Sequence, residues 1–151
     1  MLSRFLQYCH FRVKPRLLGW MTRFLYSNKN IIIGKNFTCD SIPNLFISKN
    51  SSLIIGNNTQ FRKDIEIRAH EQSLLKIGSN VRIDRGVRLL STNQSQIVIG
   101  DRTAIGLYSV FNGGDNIILG EACLISGFVY FIFKRTTISP IRSMILSQYT
   151  N

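Results

Sequence analysis

Histidine is scarce in this sequence: its 151 residues include two, His10 and His70. That excludes a three-imidazole zinc site, which needs three such ligands, and no other metal-ligand cluster is present, so no metal residues are assigned. The three cysteines, Cys9, Cys39 and Cys123, are odd in number, far apart and without a Cys-x-x-Cys pair. They read as reduced thiols, with Cys39 and Cys123 filling core positions, in a reducing, cytoplasmic compartment. Long apolar runs are also missing. The N-terminus never goes more than about seven residues without an arginine, so it holds no secretory apolar region. The uncharged run Ala122–Phe133 falls well short of the roughly 20 residues that cross a bilayer. A P-loop, a GxGxxG loop and a Ser-His-Asp order are all absent.

Acidic residues are few, eight against 19 Lys and Arg, for a net charge of +11. Residues 1–30 hold six basic residues and no acid, and residues 132–151 hold three and no acid. Residues 31–131 set ten basic residues against all eight acids, leaving +2. The excess therefore sits at the ends, and no basic stripe interleaved with aromatics marks a nucleic-acid face.

What the sequence does have is a repeat. Ile33-Gly34, Ile55-Gly56, Ile77-Gly78, Ile99-Gly100 and Leu119-Gly120 follow one another at intervals of 22, 22, 22 and 20 residues. A fixed period of this size marks a stacked-repeat architecture. Inside it runs a beat of six: Ile55, Phe61, Ile67; Ile77, Ile83, Leu89; Ile99, Ile105, Phe111; Leu119, Ile125, Phe131. Four positions after each comes a mostly smaller residue: Thr59, Ile65, Val81, Val87, Thr103, Ser109, Cys123, Val129. The pattern predicts an all-β solenoid with three short strands per coil, the first and fifth positions of each hexad facing inward. Three hexads use 18 residues, so four remain to bulge from one corner, with Glu71–Leu74 and Ser91–Gln96 as candidates. In the shorter last interval Asn112-Gly113-Gly114-Asp115-Asn116 supplies turn chemistry. The Gly of each pair and the Asn two residues on (Asn36, Asn58, Asn80) suit left-handed corner angles.

Ahead of the repeat, Leu2, Phe5, Leu6, Cys9 and Val13, then Leu17, Leu18, Met21, Phe24 and Leu25, keep helical spacing, interrupted at Pro15. Two short basic amphipathic helices are expected over 1–30. They suit either a cap on the first coil or a helix lying on an anionic membrane surface, and the two roles are compatible. The organisation is then 1–30 helical, 31–131 solenoid and 132–151 a basic tail outside the repeat.

The phrases Ile55-Gly56-Asn57-Asn58-Thr59-Gln60, Ile77-Gly78-Ser79-Asn80-Val81-Arg82 and Ile99-Gly100-Asp101-Arg102-Thr103-Ala104 resemble the hexapeptide repeat of the left-handed parallel β-helix acyltransferases. With the basic helical N-terminus and Leu124-Ile125-Ser126-Gly127-Phe128-Val129-Tyr130, the chain looks most like bacterial O-acetyltransferases of lipopolysaccharide, capsule or exopolysaccharide. The resemblance implies a homotrimer of triangular prisms, acetyl-CoA as donor and a sugar hydroxyl as acceptor. The expected location is cytoplasmic, and the basic amphipathic helices leave open a peripheral position at the inner face of the cytoplasmic membrane.

Acyl transfer to a hydroxyl needs a general base, usually histidine near neutral pH. In that family the histidine follows the coil that here ends near Phe131, and residues 132–151 contain no His, Asp, Glu or Gly. No catalytic residue is assigned, and the donor-binding residues are left unknown. His10 reads as a surface or cap residue. His70, beside Glu71, reads as an exposed loop histidine that a carboxylate could orient. Arg82, Arg85 and Arg88, with Asp84 among them, should project from the corners of one coil as a solvated face or, less simply, an anion contact. The change of composition near residue 131 supports a second reading: a truncated or frame-shifted remnant of such an enzyme, without activity.

Overall fold

A computed structural model describes residues 2–134 of the chain. Residues 31–134 form a parallel β-solenoid of about five turns. Its first wall is the sheet β1 (Ile31–Ile33), β4 (Ser52–Ile55), β7 (Leu74–Ile77), β10 (Gln96–Ile99) and β13 (Ile117–Leu119). The second comprises β2 (Thr38–Cys39), β5 (Gln60–Phe61), β8 (Arg82–Ile83), β11 (Ala104–Ile105) and β14 (Leu124–Ile125). The third comprises β3 (Asn44–Ile47), β6 (Glu66–Ala69), β9 (Arg88–Ser91), β12 (Val110–Gly114) and β15 (Tyr130–Lys134). The tail from residue 135 onward lies outside the described residues.

The register follows the repeat. Ile33 pairs with Ile55, Ile55 with Ile77, Ile77 with Ile99 and Ile99 with Leu119. Both inward positions of the hexads are filled as expected through the fourth coil: Phe61, Ile67, Ile83, Leu89, Ile105 and Phe111 are buried, as are Thr59, Val81, Thr103 and Ser109. In the fifth coil Leu119, Ile125 and Phe131 are half-buried. The hydroxyls at the fifth position donate to the next coil, Thr59 to the Gly78 carbonyl at 2.9 Å and Thr103 to that of Gly120 at 3.0 Å. A buried polar group without a partner would cost stability, and these groups have one.

Three expectations change in detail. The spare residues do bulge from one corner, but over 70–73 and 92–95: Leu74, Ser91 and Gln96 already belong to strands. Asn112, Gly113 and Gly114 lie in β12 instead of a turn, because Asn112 and Gly113 pair with β9 and β15 on both sides and Gly114 pairs with β15. The left-handed residue of the first corner is the one two positions after each Gly, namely Asn36, Asn58, Asn80, Arg102 and Ala122, with φ between 53° and 58°. The Gly itself keeps a negative φ and serves close approach. A Cβ on Gly34, Gly56 or Gly100 would stand 2.5 Å from the carbonyl carbon of the matching glycine one coil on.

The N-terminal segment is helical throughout: α1 (Leu2–Tyr8), a π-helical turn (Cys9–Val13) and α2 (Lys14–Tyr26). Pro15 widens the helix rather than breaking it. Proline has no N–H to donate and crowds the preceding turn, and the Lys14 N–H reaches back five residues to the Cys9 carbonyl. After α2, the Asn28 side-chain oxygen accepts from the Asn30 and Ile31 N–H groups at 2.8 and 3.0 Å, turning the chain into β1.

Candidate functional site

α2 lies against β2 and the first corner, seated through Pro15, Gly19 and Thr22, all buried. Gly19 is required there, since a Cβ would meet the Phe37 carbonyl oxygen at 2.1 Å. The Thr22 hydroxyl donates to the Leu18 carbonyl at 2.8 Å and stands 3.4 Å from the Cys39 sulfur. Burial pushes the Cys39 thiol pKa up; the Thr22 hydrogen bond lowers it and Asp40 raises it, with the net effect upward. Among the described residues all three cysteines are free; Cys39 is buried, and Cys9 and Cys123 are half-buried.

Seating the helix creates two clefts. Beside α2, a groove of about 540 Å³ is lined by Arg16, Trp20 and Arg23 opposite Asn36, Phe37 and Asn58. The Arg23 Nε in it is buried without a hydrogen-bond partner. At the second corner, a cleft of about 150 Å³ brings His10 and Lys14 to Asp40, Arg62, Lys63 and Arg85. It continues along the corner into a recess of about 240 Å³ that reaches Asp84 and Leu107. Arg62 spends its charge on Asp40 at 3.2 Å, and Asp84 faces Arg82 at 3.6 Å. Among the described residues Lys14, Lys63 and Arg85 form no ion pair. The cleft therefore carries surplus positive charge and can take an anionic group such as a phosphate.

The arginine series does not act as one unit. Arg82 and Arg88 stand in β8 and β9, on different walls, and only Arg85 sits at the corner. Strands leave their outward side chains on the wall, which separates what a spacing of three suggested. Arg88 reaches across to Glu66 through two hydrogen bonds, 3.1 Å from Nε and 3.2 Å from Nη2. Arg68 also pairs with Glu66 and lies 5.0 Å over the Phe46 ring. Burial raises the Glu66 pKa, but Arg88 and Arg68 outweigh it and hold the carboxyl below its ordinary value.

The two histidines part company. His10 lines the cationic cleft, its ring edge-on to Phe11 at 5.1 Å. His70 sits at the third corner, its backbone N–H donating to the Ser91 carbonyl at 3.0 Å. Glu71 does not orient its ring: that carboxylate accepts the Asn93 N–H at 3.0 Å. Among the described residues no group of three metal-ligating side chains forms. Arg62, Lys63 and Asp40 were missed as cleft residues, although the period could have found them. Lys63 and Arg85 are 22 residues apart and stack at one corner, where the Gly86 N–H bonds the Lys63 carbonyl at 3.0 Å.

No family model, no curated protein and no solved structure matches this chain.

Proposed function

We propose that this chain is an acetyl-CoA-dependent O-acetyltransferase of surface-polysaccharide sugars. The observation that supports it most is the register: the Ile-Gly pairs stack coil on coil through β1, β4, β7, β10 and β13. A three-walled prism with that spacing is what the hexapeptide resemblance requires. The cationic cleft at the second corner adds chemistry suited to a donor that carries phosphates, with Lys63, Arg85 and Lys14 as its free cations. For the homotrimer, the first wall offers an outward column of Ile32, Ile54, Val98 and Ile118, interrupted by Lys76. Burying such a column against two copies would remove apolar surface from water.

The histidines favour a second reading, binding without turnover. Among the described residues no carboxylate orients the His70 ring, since Glu71 accepts from the Asn93 N–H, and His10 lines a cleft whose chemistry suits holding an anion. Purified chain incubated with radiolabelled acetyl-CoA and a panel of polysaccharide precursors separates the two. Labelled sugar and released CoA establish the transferase, and His10→Ala and His70→Ala variants then show which ring matters. Saturable CoA binding without label transfer establishes the binding reading. Neither binding nor transfer overturns both.

A further inference from the structure

The N-terminal helix meets the solenoid through small side chains, with Leu18 and Tyr26 packed partly buried beside them, and turns Leu17, Trp20, Phe24 and Leu25 outward. At about 100° per residue, Pro15, Gly19 and Thr22 share one face, and that face is buried. Leu17, Trp20 and Phe24 share the opposite face, exposed by 55%, 61% and 77%. The Trp20 and Phe24 rings stack at 5.8 Å across that face. Preceding it, α1 buries none of its residues, and Leu2, Phe5 and Leu6 are exposed. A helix whose only task was to cover the first coil would place these groups inward.

We propose that this face docks on an anionic lipid bilayer, with α1 and α2 lying in the plane of the interface. Charge selects the occupant. Residues 1–30 carry six Lys and Arg and no acid, which suits a surface of lipid phosphates. A second copy of the chain would oppose two such segments with no acid between them. A nucleic acid would engage the cations but leave Leu17, Phe24 and the α1 side chains in water. Tryptophan is the aromatic residue most at home at a membrane interface. Arg16 and Arg23 flank Trp20 in the groove beside α2, so cationic side chains stand next to the ring that would enter the interface.

Trp20 is the only tryptophan in the sequence, so its fluorescence reports on this face alone. The chain is mixed with phosphatidylcholine vesicles, with vesicles of phosphatidylcholine and phosphatidylglycerol, or with inorganic phosphate. The expected result is a blue shift and co-sedimentation with the anionic vesicles only, weakened by high salt. Arg16→Gln with Arg23→Gln should weaken that binding about thirtyfold, the effect of two surface cations. Leu17→Ser with Phe24→Ser, both at exposed positions, should abolish the blue shift while the circular dichroism of the β-solenoid is kept. Equal behaviour on neutral vesicles, or a shift with phosphate alone, would overturn the proposal. So would self-association that the Leu17/Phe24 variant removes in the absence of lipid.

Discussion

Gly56 lies so close to Gly78 that a Cβ on the first would stand 2.5 Å from the carbonyl carbon of the second. The same contact recurs between Gly34 and Gly56 and between Gly100 and Gly120. The glycine column is thus a steric ladder, and the coils stack at this corner only because each rung lacks a side chain. Gly120 is the last glycine of the column, and among the described residues the nearest atom to its Cβ position is the Cys123 sulfur at 3.9 Å. Gly56→Ala should therefore lower stability by about 1–3 kcal/mol, the usual cost of overpacking. Gly120→Ala should leave it nearly unchanged. Urea denaturation of the two variants side by side checks the contrast.

Asn80 and Ala122 occupy equivalent left-handed corner positions, with φ of 57° and 53°. A residue other than glycine or asparagine at such an angle costs roughly 1–2 kcal/mol. Ala122→Gly recovers part of that cost, offset by the greater freedom of glycine in the unfolded chain. Ala122→Asn should raise stability and Asn80→Ala should lower it, each by about 1 kcal/mol. Midpoints of chemical denaturation that move in opposite directions are the expected outcome.

Glu66 ties the third wall to the acid range of pH. Its carboxyl is raised by burial and lowered further by Arg88 and Arg68, so its folded pKa lies below the unfolded value. A group of this kind supports the fold while ionised. The support is present above about pH 4.3, the unfolded glutamate value, and disappears as pH falls through the lower folded value. Glu66→Gln should be less stable than the parent chain near neutrality, by at most about 1 kcal/mol because both arginines reach solvent. The gap should close as the pH falls below 4. Thermal melts from pH 7 to pH 3 measure it.

Cys39 is sealed beneath α2, and its thiol is held protonated by burial. Thiolate, not thiol, reacts. At pH 8, an aromatic disulfide reagent should label Cys9 and Cys123 promptly and Cys39 only when the chain unfolds. Gly19→Val, which cannot keep α2 against Phe37, should expose the third thiol to the reagent in the folded protein.

Much of this architecture was legible as spacing. The pairing of Ile55 with Ile77 is the period itself, and the buried hexad positions follow from it. Even the ion pairs Arg62–Asp40 and Arg88–Glu66 join residues one period apart. What escaped is what depends on how close two backbones come. Local propensity allows either Gly56 or Asn58 to take the left-handed angle, and only stacking against Gly78 decides that the glycine is needed for space. Arg102 shows tertiary contacts overriding propensity outright, since its backbone N–H bonds the Ser79 carbonyl of the preceding coil at 3.0 Å. Helical periodicity left open whether Leu17 and Phe24 face the solenoid or a membrane surface. A close helix–coil contact selects Gly19, and these large side chains go outward. The cationic cleft joins residues from the helix and three coils, so no single stretch of sequence contained it.

The solenoid depends on coils that stack one period apart, and interspin distances measure that directly. Thr38, Gln60, Arg82, Ala104 and Leu124 form one column on the second wall. With Cys9 and Cys123 replaced by serine, nitroxide labels go on Thr38→Cys paired with Arg82→Cys, and on Thr38→Cys paired with Leu124→Cys. At about 4.8 Å between neighbouring strands, the two distances should be about 10 and 19 Å. A Thr38–Leu124 distance no longer than the Thr38–Arg82 distance, or a separation that does not grow with coil number, would contradict the solenoid.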